Sequence, residues 1–301
     1  MVDDKPITFN SKPANGLPLK MVQKTSFFNT PAPRLKAPHR LRVSAAWSFF
    51  TAVLLTSFIY TILIFAPDSL KRYADVFLAR GPTPPITVLF FVWAWVSLIL
   101  KRSIIRGQRR SLRFDLVPPE NDFRISVENV PEILERIDQQ VDFPDNFILI
   151  RRLRNSLFNL KNLGQVSEVN NMLEIQADND DTKMETSYGL IKGLVWALPV
   201  LGFIGTVLGL SAAVGGFGDV LKSTDDIAEV TESLTAVTAG LGTAFETTLL
   251  ALVLAVIVQL RMTFVKKAEE ELLDECRTYC LENVSKRLRL EASVAGDAIR
   301  G

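Results

Sequence analysis

GLVWALPVLGFIGTVLGLSAAVGGFG, residues 193–218, and SLTAVTAGLGTAFETTLLALVLAVIVQL, residues 233–260, decide how this chain folds. The first carries no charged residue and the second carries only Glu246. Both exceed the roughly 20 apolar residues a helix needs to cross a hydrocarbon layer about 30 Å thick. Working outward, residues 43–67 and 81–100 are also free of charge, so a third of the chain holds one of its 67 charged residues. Whole-chain averages of 48% hydrophobic and +1 net charge hide this partition. The expected class is all-α: a polytopic membrane protein with four transmembrane helices and a helical cytoplasmic domain.

The partition sets the expected organisation. Residues 1–42, with Pro31, Pro33 and Pro38 near the end, form a flexible cytoplasmic tail. Spans at 43–66 and 85–105 flank an outside loop at 67–84; a helical inside domain occupies 106–188. Spans at 189–215 and 237–261 flank an acidic outside loop at 216–236, and 262–301 form a cytoplasmic helical extension and tail. The second span has the shortest apolar run, Ile86 to Leu100. Either Lys101 and Arg102 snorkel to complete it, or the segment is a buried hairpin.

Lys and Arg near the span ends set the orientation. Arg34, Lys36, Arg40 and Arg42 precede the first span; Lys101, Arg102, Arg106, Arg109, Arg110 and Arg113 follow the second; Arg261, Lys266 and Lys267 follow the fourth. These ends belong inside, with both termini. The loop at 216–236 carries Asp219, Asp225, Asp226, Glu229 and Glu232 against Lys222 alone, which suits the outside. Lys71, Arg72 and Arg80 in the first outside loop reduce the contrast there.

Within the inside domain, Pro131 opens a helix through Gln140, and Asp145 caps another from Asn146 to Leu163, stopped by Gly164. Phe147, Ile150, Leu153, Leu157 and Leu160 recur at helical spacing and form a packing stripe, with Arg151, Arg152, Arg154 and Lys161 elsewhere. A third helix begins near Ser167; the Asp178 to Asp181 cluster either interrupts it or forms a solvated face. Arg261 to Arg289 contains no Pro or Gly and repeats Val265, Ala268, Leu272, Cys276, Tyr279, Val284 and Leu288, so the last span continues as a helix into the cytoplasm.

The composition argues against several classes. The near-balanced charge is unlike a nucleic-acid-binding surface. The only cysteines, Cys276 and Cys280, read as reduced thiols on one helix face, and with the single His39 they supply too few ligands for zinc. There is no nucleophile–base pair, Walker loop or dinucleotide fingerprint, so neither an enzyme nor a bound cofactor is expected. Gly202, Gly205 and Gly209 with Thr206 fall on one side of the third span, a face where another backbone approaches closely. Thr243, Glu246, Thr247 and Leu250 share a face of the fourth. A carboxylate within a span is costly, so Glu246 faces protein or a wet cavity, is protonated, or fixes helix packing. Pro199 frees a carbonyl inside the third span and permits a bend.

The run Trp196-Ala-Leu-Pro199-Val-Leu-Gly202-Phe-Ile-Gly205-Thr206-Val-Leu-Gly209-Leu, joined to Gly240-Leu-Gly-Thr243-Ala-Phe-Glu246-Thr-Thr-Leu-Leu-Ala-Leu, resembles the MotA/TolQ/ExbB proton-channel family. The similarity covers roughly residues 185–265. Four spans look like flagellar stator subunits, whereas ExbB- and TolQ-type members have three; the helix motifs read closer to the latter. The resemblance implies a homopentameric ring in a bacterial inner membrane whose third and fourth spans line a pore. A dimer of an ExbD/TolR/MotB-like single-span partner would occupy that pore, and H⁺ or Na⁺ flow would drive mechanical work. It also implies that Thr206 and Thr243 face the pore and that Pro199 matches the stator proline, while Glu246 departs from the commoner small residue. Thr206, Thr243, Glu246 and Thr247 are thus the candidate ion pathway, and Pro199, Gly202, Gly205 and Gly209 its bend and packing face. The alternative is a membrane scaffold or sensor ring without ion flux.

Overall fold

The computed structural model describes residues 45–67, 74–78, 80–113, 125–126, 128–160, 166–223 and 227–288. The expected N-terminal tail, the end of the chain beyond 288, and parts of both outside loops lie outside the described residues. Among the described residues the main helices are, in order, α1 Ala45–Ile64, α2 Thr83–Arg109, α3 Val130–Gln140, α4 Ile148–Asn159, α5 Val166–Ser187, α6 Gly189–Ser223 and α7 Ile227–Asn283. Among the described residues no strand forms, and the one extended pairing is a bridge between Ile125 and Leu288. The all-α class is observed. α1, α2, α6 and α7 each contain a segment long and apolar enough to cross a membrane.

α6 and α7 pack along their length as an antiparallel pair, α2 lies against both, and α1 packs on α2. The stretch read as an outside loop at 216–236 is helical on both sides of residues 224–226. At 1.5 Å per residue, the 57 residues of α7 reach about 86 Å, far beyond one hydrocarbon thickness. α2 opens with Pro84 and Pro85 in its first turn, where the missing N–H groups cost nothing. Its apolar segment is more buried than those of the other spans because helices cover it on two sides. Lys101 does not snorkel outward. It is buried, with Nζ 2.8 Å from Glu269 Oε2 of α7 and 3.9 Å over the Tyr188 ring, and the Tyr188 hydroxyl donates to the same oxygen at 2.8 Å.

Nearby, Lys192 and Lys266 both pair with Glu185, joining α5, α6 and α7. Hydrogen bonds from these two ammonium groups hold the Glu185 carboxyl down to about 2, from the usual 4.5. The clasp is therefore complete above the ordinary carboxylate range and is lost only as pH falls through the window between those values; on an exposed surface solvent keeps it weak. Thr83 at the N-terminal end of α2 stands about 27 Å of helix from Lys101, close to one hydrocarbon thickness. This Lys–Glu–Tyr layer stands at one end of the apolar segments.

Beyond that layer α3, α4 and α5 surround the C-terminal half of α7. The α4 stripe is buried as expected: Phe147, Ile150, Leu153, Leu157 and Leu160 are all at most 1% exposed. They meet Ile133 and Ile137 of α3, Val169 and Leu173 of α5, and Leu272, Cys276 and Cys280 of α7 in one continuous core. Asp145 does not cap α4, which starts later and ends earlier than the spacing suggests. The cap comes from α2: Ile148 N–H donates to Gln108 Oε1 at 3.0 Å, and Gln108 Nε2 donates to the Asn146 carbonyl at 2.8 Å. A buried amide from a neighbouring helix replaces the local carboxylate, and Asp145 turns out to Arg154 instead.

The acidic cluster does not interrupt α5. Asp178 and Asp181 are exposed, but Asp180 is buried because it falls on the stripe Val169, Leu173, Ala177, Asp180, Met184 and Tyr188. It meets Arg152, which is 2% exposed rather than on the solvated side of α4; Nε donates to Asp180 Oδ2 at 2.8 Å, and Arg151 Nη2 donates to Oδ1 at 2.8 Å. Cys276 and Cys280 are free thiols in the same core. Burial pushes Cys276 up to about 12 and Cys280 up to about 11, against the opposing pull of the Arg152 charge. Because the thiolate is the nucleophile, both are expected to resist iodoacetamide at pH 8 in the native protein and to react once it is unfolded. Intact-mass measurement of the alkylated chain checks this; full labelling of native protein would contradict the burial.

Candidate functional site

The site is built on the seam between α6 and α7. Small residues on both helices let the backbones approach: a Cβ added to Gly202 would lie 2.6 Å from Ala251 Cβ and 3.2 Å from Thr248 Cα. One added to Gly209 would lie 3.3 Å from the Gly240 carbonyl oxygen, and one on Gly240 2.6 Å from Ala213 Cβ. Gly202, Gly205 and Gly209 thus face Gly240, Ala244, Thr247, Thr248 and Ala251, small residues repeating at three- and four-residue steps on α7. α6 runs unbroken through Pro199.

The close approach places polar oxygens together inside the seam. The Thr206 hydroxyl pairs with the Thr248 hydroxyl. Thr206 Oγ1 also reaches the Gly202 carbonyl at 3.2 Å and the Ala244 carbonyl at 3.4 Å, and Thr248 Oγ1 reaches the same two at 2.9 and 3.2 Å. Two hydroxyls and two carbonyls therefore share a half-buried cluster, and the Ala244 carbonyl accepts from the Thr247 hydroxyl as well. Hydroxyl and carbonyl oxygens of this kind can ligate a proton or small cation and carry no charge to hold an anion.

Thr243 and Glu246 lie elsewhere on α7, turned toward the N-terminal end of α2. Arg80, just before that helix, donates from Nη1 to Thr243 Oγ1 at 2.7 Å, and its Nη2 lies 2.8 Å from Glu246 Oε2. The second contact is an ion pair by distance without hydrogen-bond alignment, for Oε2 has no aligned donor. Thr247 is 4% exposed, with its hydroxyl on the Ala244 carbonyl at 2.9 Å. It fills the junction of α2, α6 and α7: a Cβ at Gly205 would come 2.7 Å from Thr247 Oγ1 and 3.3 Å from Thr83 Cγ2.

The four polar residues singled out in the sequence thus fall into three settings. Thr206 is in the oxygen cluster, Thr243 and Glu246 are with Arg80, and Thr247 is in the packing junction. Thr248 and Arg80 were not singled out. Signals for both existed: Thr248 belongs to the small-residue stripe of α7, and a lone carboxylate in an apolar stretch demands a counter-ion, for which Arg80 lies close to a span end.

Residues 141–278 match the family model described as the MotA/TolQ/ExbB proton channel family. The match includes α4 to α6 whole and most of α7, and so contains the seam and its oxygen cluster. It is the family to which the seam motifs point. Searches of curated proteins and of solved structures return no match.

Proposed function

We propose, from the family of residues 141–278 and the oxygen cluster it encloses, that this chain is the ring subunit of an ion-driven membrane energiser. Five copies surround a pore lined by α6 and α7, and two copies of an ExbD/TolR/MotB-like single-span partner sit within it. The ring lies in a bacterial inner membrane with both termini in the cytoplasm. The single observation that carries the reading is the Thr206–Thr248 pair backed by the Gly202 and Ala244 carbonyls.

A cation passing this cluster exchanges hydration for hydroxyl and carbonyl oxygens, and the hydroxyls reorient among several acceptors without a change of charge. Each charge crossing 100 mV yields about 2.3 kcal/mol, the free energy available for moving the partner. Thr243 and Glu246 form the outer approach to this point, and Thr247 holds the helices around it. The ring also accounts for the bare apolar faces of the pore helices, where Phe203, Phe245 and Leu249 are 67%, 63% and 64% exposed and need other subunits, the partner or lipid.

Native mass measurement of detergent-solubilised protein is expected to give five copies; a monomer or dimer would contradict the ring. The double variant Thr206→Ala/Thr248→Ala is expected to cut cation flux at least about tenfold in vesicles holding the chain and its partner, with assembly unchanged. Wild-type flux in that variant would remove the cluster from the pathway.

A further inference from the structure

Glu246 is the one charge within the four apolar stretches, and its partner comes from outside them. Three observations separate the Arg80–Glu246 contact from a packing ion pair. The side chains are 28% and 42% exposed, so this chain does not enclose the pair, although the Oε2 that meets Arg80 is itself covered. Arg80 precedes Gly81, whose φ of +76° only glycine adopts without strain; nothing lies within 4 Å of where a Gly81 Cβ would stand. The arginine is therefore carried on a bend that packing leaves open. The contact is also unsaturated: Arg80 Nε has no partner and Glu246 Oε2 no aligned donor, so the guanidinium covers the carboxylate chiefly by charge. The inner pair is built differently. Lys101 and Glu269 are 10% and 17% exposed, and Tyr188 donates to the same carboxylate oxygen.

Glu246 also stands close to the oxygen cluster along α7. Two residues of helix separate it from Thr248, a rise of about 3 Å. A cation held at Glu246 is at nearly the height of the Thr206–Thr248 hydroxyls but about 200° around α7 from them, so it acts on an ion approaching the seam through its charge.

We propose that Arg80 is a tethered cation that occupies Glu246 and competes with the transported ion at the outer approach to the α6–α7 seam. This rests on the reading of α6 and α7 as pore helices. In that role Arg80 limits entry: the carboxylate attracts an incoming cation only during the intervals in which the guanidinium has swung away. The arrangement puts a threshold on flux without closing the pore by bulk.

The test uses the full chain together with its single-span partner in liposomes under an imposed potential, with proton- and sodium-sensitive dyes. Arg80→Ala is expected to raise cation flux about tenfold over wild type, and Arg80→Lys to leave it near wild type. Methylguanidinium added outside at millimolar concentration should return Arg80→Ala toward the wild-type rate and leave wild type unaffected. Arg80→Ala/Glu246→Gln should show neither the gain nor the sensitivity to methylguanidinium. Native mass confirms assembly of each variant, and Arg80→Gln replaces Arg80→Ala if the latter does not assemble. Flux that stays at or below wild type in an assembled Arg80 variant, or that ignores methylguanidinium, overturns the inference. If flux still depends on Thr206 and Thr248 in that case, the pore reading stands and only the role of Arg80 is lost. Absence of flux in every variant removes both.

Discussion

Asp180→Ala is expected to destabilise the packing of α3, α4 and α5 on α7 by about 3–5 kcal/mol, the usual cost of stripping one partner from a buried ion pair. Arg152 is 2% exposed and its carboxylate partner 7% exposed, so neither charge has water to fall back on. Nη1 and Nη2 of Arg152 have no hydrogen-bond partner even in the intact protein, which leaves Asp180 as the main compensation for that guanidinium. Arg151 and Lys183 also pair with Asp180, from more exposed positions, and lose their partner in the variant. The expected result is a large drop in the thermal midpoint of the detergent-solubilised protein and early proteolytic cleavage between residues 128 and 187. Replacing both partners by apolar residues, as in Arg152→Met/Asp180→Leu, is expected to recover most of the loss, since the desolvation cost leaves with the charges. An unchanged midpoint for Asp180→Ala would mean that the pair is solvated.

The second large effect is expected at the membrane seam. Gly202→Val sets a branched side chain against the backbone of α7: the first added carbon already lies 2.6 Å from Ala251 Cβ and 3.2 Å from Thr248 Cα. Overpacking of this kind costs about 1–3 kcal/mol, and here it also separates the hydroxyls that the close approach brings together. The variant should therefore lose flux as well as stability. Gly242 on the same helix pair is the control, since a Cβ there meets nothing within 4 Å, and Gly242→Ala should be neutral or slightly stabilising. Gly240→Ala should be harmful alone, through contact with Ala213, and relieved by Ala213→Gly. Equal midpoints for the Gly202 and Gly242 variants would refute the close-packed seam.

Much of the helical framework is legible in the residues. Apolar runs longer than a bilayer is thick specify the spanning segments, and the three- and four-residue repeats specify which side of α4, α5 and α7 turns inward. The α4 stripe illustrates this well, because every member is buried. The same repeats also mark the glycine face of α6, since small side chains at helical spacing have one physical use, the close approach of another backbone.

Polar groups followed a different rule. Arg152 and Asp180 are 28 positions apart, and Arg80 and Glu246 are 166 apart. Nothing local to either partner encodes the other. Periodicity identifies a face, but the partner of a charge on that face depends on how far each helix is rotated and slid against its neighbour. That is why the residues alone leave Asp180 in a cluster that either interrupts its helix or faces solvent, allow Lys101 to snorkel or sit in a hairpin, and make Asp145 a cap, whereas the packed helices supply Arg152, Glu269 and Gln108. It is also why Thr248, one residue and about 100° of rotation beyond Thr247, meets Thr206 while Thr247 fills a junction. The sequence by itself determined that this chain is a bundle of membrane-length helices with one carboxylate in its apolar part. Only the tertiary structure decided which hydroxyls and which arginine that bundle brings into play, because hydrophobic burial is set by pattern along one helix whereas hydrogen bonds and ion pairs require two helices in register.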